Sequence, residues 1–188
     1  MIAACNQNNY PLVSKLLSED PKLAGIEDIR GNPVLLYAVR HNYLKMTSLL
    51  LNNSADPNQI IPVYQQGTIM HFAARNNSPS MMKLLILKSG NVNATDLSKS
   101  TLLHTAVNSH NDGCVLIILQ NGANVNAQDS IGNTPLHAAI LAENHKAITL
   151  LIKYGASLTI KDNMNETPID LAKRINNEAY NQLRRSID

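Results

Sequence analysis

The stretch Thr134-Pro-Leu-His137-Ala-Ala139 decides the fold, because it returns at a fixed interval. Thr101-Leu-Leu-His104-Thr-Ala106 and Thr68-Ile-Met-His71-Phe-Ala73 precede it, and Thr167-Pro-Ile-Asp170-Leu-Ala172 follows, each 33 residues from the next. Pro33-Val-Leu-Leu-Tyr-Ala38 fits one period earlier with two extra residues, which fall in the loop 60–62. A second marker keeps the same phase: Ala55-Asp-Pro-Asn58, Gly90-Asn-Val-Asn93, Gly122-Ala-Asn-Val-Asn126 and Gly155-Ala-Ser-Leu158. Two markers locked to one period specify an array of repeats.

Each marker has a physical job. Thr134-Pro135 sets a hydroxyl cap before a proline at the first helical position, where a fixed φ helps and the missing N–H costs nothing; Thr68, Thr101 and Thr167-Pro168 repeat the device. Ala147, Ile148, Leu150 and Leu151 then form an apolar stripe on a second helix, which Gly155 ends in the left-handed conformation. Asp129-Ser-Ile-Gly132-Asn133 has the composition of a turn. The spacing predicts an all-α solenoid of helix-turn-helix units joined by β-turn or hairpin loops. Helices this short are marginal alone, so their apolar faces must be buried against neighbouring units.

The chain resembles the ankyrin-repeat family. Thr134 to Ala139 and Gly122-Ala-Asn-Val-Asn-Ala127 reproduce that family's signatures almost letter for letter, and the match covers nearly the whole chain. Leu36 and Asp170 depart from the motif histidine, Lys99 and Gln66 from a turn glycine, and Ser89-Gly90 from Gly-Ala. By register, one domain spans 1–188: a partial repeat 1–27, full repeats 28–62, 63–95, 96–128 and 129–161, and a capping unit 162–188. The front end reads as cut through a unit, as in a fragment of a longer protein.

Composition narrows the function. Sixteen Lys+Arg against fourteen Asp+Glu leave a formal charge of +2, far from the basic balance that binds a phosphate backbone. Nucleic acid is not an expected partner. Cys5 and Cys114 are too few and too distant to staple a secreted scaffold, and both read as free thiols, Cys114 buried and Cys5 open to exposure. The longest apolar run, Cys114 to Leu119, is far below the roughly 18 residues of a membrane span, and no signal peptide precedes it. The expected location is cytoplasmic.

His71, His104 and His137 recur in register, but successive helices pack about 8–10 Å apart, too far for their side chains to converge on one zinc. They are expected to hydrogen-bond backbone near the helix start and tie adjacent turns, which is also what the resemblance implies. His41, His110 and His145 fall near inter-helix loops. No phosphate loop, zinc-protease motif or nucleophile elbow occurs, and the period leaves no insertion large enough for a pocket. Neither catalysis nor a cofactor or metal is expected.

The resemblance implies a protein-binding monomer that uses a concave face of turn tips and first helices. Register places Arg30, Asn32, Arg40, His41, Tyr64, Gln65, Arg75, Asn76, Leu97, Ser98, Asn108, Ser109, Ser130, Ile131, Asn133 and Leu141 there, free of packing or capping duty. Arginines make the early half basic, and Leu97, Ile131 and Leu141 make the later half partly apolar. An acidic partner segment is expected at the first and an apolar anchor at the second. The resemblance further implies that Asn93 and Asn126 match an acceptor position for β-hydroxylation. The resemblance includes microbial and viral effectors that work in a host's cytoplasm or nucleus, a role with which the abundant Asn, Ile and Lys of an AT-rich genome agree. The alternatives are the targeting part of a larger enzyme or channel, and a structural spacer.

Overall fold

The computed structural model describes residues 1–62, 67–76, 78–175 and 177–185. Its helices are α1 (Ile2–Asn6), α2 (Tyr10–Glu19), α3 (Val34–Arg40), α4 (Leu44–Asn52), α5 (Ile69–Arg75), α6 (Pro79–Leu87), α7 (Leu102–Asn108), α8 (Asp112–Gln120), α9 (Pro135–Leu141), α10 (His145–Lys153), α11 (Pro168–Ile175) and α12 (Asn177–Arg184), with a 3-10 turn at Pro21–Gly25. First helices α3, α5, α7, α9 and α11 stack in one row, and second helices α4, α6, α8, α10 and α12 stack in another. The turns leading into α3, α5 and α7 are closed by single antiparallel bridges, Glu27–Pro33, Ile60–Thr68 and Thr95–Thr101.

A first helix of seven residues makes barely two turns, so its stability comes from being buried almost all round. In α7, Leu102 to Val107 are all buried. Second helices bury one stripe only, as α10 does with Ala147, Ile148 and Leu151. They end in a left-handed residue, Gly122 (φ 81°) or Gly155 (φ 85°), with Ser54 and Ser89 at the equivalent positions.

The Ser89-Gly90 departure has a packing cause. A Cβ on Gly90 would stand 2.5 Å from Met70 Sδ and 2.8 Å from the Leu85 carbonyl oxygen. In the other units the same two positions hold Leu35 with Ala55, Leu103 with Ala123 and Leu136 with Ala156. Met70 thus fills the space that a smaller partner leaves open.

Candidate binding surface

The backbone that carries the surface is pinned by three polar ladders. In the first, the Nδ1 of His71, His104 and His137 accepts from the backbone N–H of Thr68, Thr101 and Thr134, at 3.1, 3.2 and 3.2 Å. Nε2 of the same rings donates to the carbonyls of Ser100, Asn133 and Glu166 in the next unit, at 3.1, 3.0 and 3.2 Å. A carbonyl only accepts, so each ring carries its proton on Nε2. Burial pushes all three imidazoles below the usual histidine range, opposed by the carbonyl bond. At Asp170 a carboxylate takes over the inner half of this device, accepting from the Thr167 N–H at 3.1 Å and the Thr167 hydroxyl at 2.6 Å. Pro135 and Pro168 open α9 and α11.

The second ladder joins the second helices to the preceding first helices. Asn111 and Asn144 cap α8 and α10 by accepting from Cys114 and Ala147 N–H. Their amides reach back to the carbonyls of Ala74 at 2.7 Å and Val107 at 3.3 Å. Both asparagines are buried. Sequence reasoning missed this role, although the residues lie one period apart.

The third ladder runs along the loops. Asn58, Asn93 and Asn126 accept from the backbone N–H of Asn91, Asn124 and Ser157 in the following unit, at 2.7, 2.8 and 2.7 Å. Asn93 and Asn126 therefore carry a structural bond through the side-chain oxygen. In four of the turns, one carboxylate oxygen of Asp28, Asp96, Asp129 or Asp162 accepts two backbone N–H groups, from the second and fourth residues beyond it.

Against this frame, two expected surface positions are corrected. Asn32 and Asn133 are buried. Asn32 donates to Asp28 at 2.9 Å, and Asn133 supplies the carbonyl that His104 holds. Each closes a turn, so neither is free of structural duty. Cys5 is buried rather than exposed, and burial pushes its thiol, like that of Cys114, up to about 11. Tyr64 and Gln65 lie outside the described residues.

The remaining positions sit on turn tips or at the ends of first helices. Arg30, Arg40, Arg75, Asn76, Leu97, Ser98, Asn108, Ser130, Ile131 and Leu141 are exposed, and Ser109 is half-buried. His41 is exposed but occupied, bonded to Asn6 at 2.8 Å and stacked on Tyr43. Ser98 and Ser130 link adjacent tips, the Ser130 N–H donating to the Ser98 carbonyl at 2.8 Å.

The structure adds two tip residues that the sequence reading passed over, Ile29 and Met164. Ile29 is fully exposed, and Leu97, Ile131 and Met164 are each more than half exposed, so the described turns all present a large apolar side chain. Among the described turns, the first therefore sets an apolar side chain, Ile29, beside the exposed Arg30. Periodicity marked these positions as turn, and turn composition says nothing about which side chain projects.

Two grooves lie along this face. One, of about 440 Å³, is bordered by Asp28, Ile29, Arg30, Leu36, Tyr37, Arg40 and Phe72. The other, of about 300 Å³, lies between Ile131, Leu141, Met164 and Leu171, with Asp162, Glu166 and Arg174 on its rim. Arg174 grips Glu166 through Nε and Nη2, both at 2.8 Å. That pairing holds the Glu166 carboxyl below its usual range. Among the described residues no group of three or more His, Cys, Asp or Glu is placed to hold a metal ion. No described helix is long and apolar enough to cross a membrane.

A family model described as ankyrin repeats (3 copies) matches residues 1–96, 50–129, 70–162 and 103–184. The chain belongs to the ankyrin-repeat family, whose repeats are in general protein–protein interaction modules. No curated protein matches its sequence.

Proposed function

We propose that the chain is a non-catalytic module that binds a protein partner along the face built by its turn tips and first helices. The observation that carries this reading is the row Ile29, Leu97, Ile131 and Met164, apolar side chains held in solvent by turns whose carboxylates are committed to the backbone. Ile131, Leu141 and Met164 gather around one groove, and contiguous exposed apolar patches of this kind mark interaction sites. An acidic stretch of the partner meets Arg30 and Arg40, and an apolar anchor enters the groove at Ile131, Leu141 and Met164.

Association kinetics with the natural partner test the reading. Charge complementarity mainly speeds encounter and is screened by salt, so Arg40→Glu with Arg75→Glu slows association at low ionic strength more than at high. Leu141→Asp instead raises the dissociation rate. Wild-type kinetics in both variants, with folding intact by circular dichroism, would place the partner elsewhere.

Hydroxylation of Asn93 or Asn126 is a subsidiary proposal, supported by the family resemblance and by the position of both residues on the loop ladder. Mass spectrometry after exposure to an asparagine hydroxylase, with no added oxygen on either residue, removes it.

A further inference from the structure

The groove at the first turn carries an unusual distribution of charge. Asp28 is fully engaged by neutral donors: Oδ1 accepts from the N–H of Arg30 (2.7 Å) and Asn32 (2.9 Å), and Oδ2 from the Asn32 amide (2.9 Å) and the Tyr37 hydroxyl (2.6 Å). These four bonds hold its carboxyl far below the usual range, with the Tyr37 hydroxyl the largest cause. Its charge is thus fixed in the wall without capturing a cation. Arg30 and Arg40 border the same groove, both are exposed, and among the described residues neither guanidinium is ion-paired. Both lie near enough to the Tyr37 hydroxyl to act on its acidity.

The rest of the lining is apolar. Leu36 and Phe72 are almost wholly buried and Ile29 stands fully in solvent. Leu36 occupies the position that holds an imidazole in α5, α7 and α9, so in α3 that position offers hydrocarbon.

We infer that this groove takes an acidic peptide segment of the partner, with a carboxylate side chain between Arg30 and Arg40 and the following aliphatic side chain against Ile29, Leu36 and Phe72. Two guanidiniums and one fixed carboxylate leave a single positive charge on the lining, which a monoanion neutralises and a phosphate dianion overshoots. Asp28 does not compete for the arginines, because its two oxygens already accept four bonds from neutral donors. The inference rests on the concave-face reading and narrows it to one site and one chemistry.

The test uses the full chain, labelled with ¹⁵N, and blocked synthetic peptides Ser-Gly-Glu-Leu-Gly-Ser with glutamate replaced in turn by glutamine, lysine and phosphoserine. The glutamate peptide should shift the amides of residues 28–41 and bind about five-fold tighter than the glutamine peptide, with the lysine peptide weakest. Arg30→Gln or Arg40→Gln should each remove about half of that advantage on a logarithmic scale, and their exposed positions leave the fold intact. Equal affinity for the glutamate and lysine peptides, no shift with any peptide, or wild-type preference in both arginine variants overturns the inference. Tighter binding of the phosphoserine peptide overturns the monoanion assignment. Shifts confined to the groove at Ile131, Leu141 and Met164 sink this site while the concave-face reading stands.

Discussion

His104 caps its own helix through Nδ1 and donates from Nε2 to the carbonyl of Asn133, 29 residues on, at 3.0 Å, so one imidazole belongs to two repeats. His71 and His137 do the same. The bond needs a neutral ring whose Nδ1 is free to accept, and that requirement makes the solenoid sensitive to acid.

Burial lowers the pKa of all three rings in the folded chain below the unfolded value near 6.5. Below that value the unfolded chain takes up protons that the folded chain refuses, so stability rises with pH in this range. The contribution is fully present above about pH 6.5 and is lost as the pH falls towards the depressed folded values. Melting temperatures between pH 7.5 and pH 5 should drop, and less so in His104→Ala. At neutral pH that substitution, or His137→Ala, should cost about 1–2 kcal/mol by leaving the buried Thr101 or Thr134 N–H unpaired and cutting the tie to the next turn, without abolishing partner binding. An unchanged melting temperature with lost binding would reverse the assignment.

Gly90→Ala should destabilise by about 1–3 kcal/mol, because its Cβ meets Met70 Sδ and the Leu85 carbonyl. Met70→Leu in the same chain recreates the Leu-Ala pairing of the neighbouring units and should recover much of the loss. A double-mutant cycle by urea denaturation reads the coupling, and strict additivity would show that the two sites do not share one space.

Asn144→Ala removes a helix cap and one of two donors to the buried Val107 carbonyl, which keeps the His110 N–H. The expected cost is about 2 kcal/mol, with Asn144→Ser, which keeps the cap alone, falling in between. If both substitutions cost the same, the reach to Val107 contributes nothing.

Thr47 is wholly buried, and among the described residues its hydroxyl has no hydrogen-bond partner. The equivalent positions hold Met82, Val115 and Ile148. Thr47→Val should therefore raise stability by about 1 kcal/mol, measured as a higher denaturation midpoint with an unchanged slope. A lower midpoint would mean that the hydroxyl is satisfied in solution.

The repeat was legible because its signals are local: a threonine, a proline and a histidine within one helical turn act on that turn's own backbone. The reach of Asn111 and Asn144 was not, since their acceptors lie 37 residues upstream and only stacking brings them near. Asn32 and Asn133 were misplaced for a related reason. They follow a turn glycine, where sequence suggests solvent, yet the turn folds them inward against an aspartate or a neighbouring histidine. Ile29 and Met164 carry no periodic signal, because a turn position constrains the backbone and leaves the projecting side chain open.

The three histidines are bifunctional linkers, each accepting from its own turn and donating to the next. Asp170 is monofunctional: its carboxylate accepts from Thr167 but has no proton to pass on. In the language of condensation polymers it is a chain stopper, and Leu36 at the opposite end is not a monomer for this linkage at all. The imidazole chain therefore has three links of fixed direction, from His71 to Glu166. At Asp170 the same position keeps the inner half of the linkage and drops the outer one.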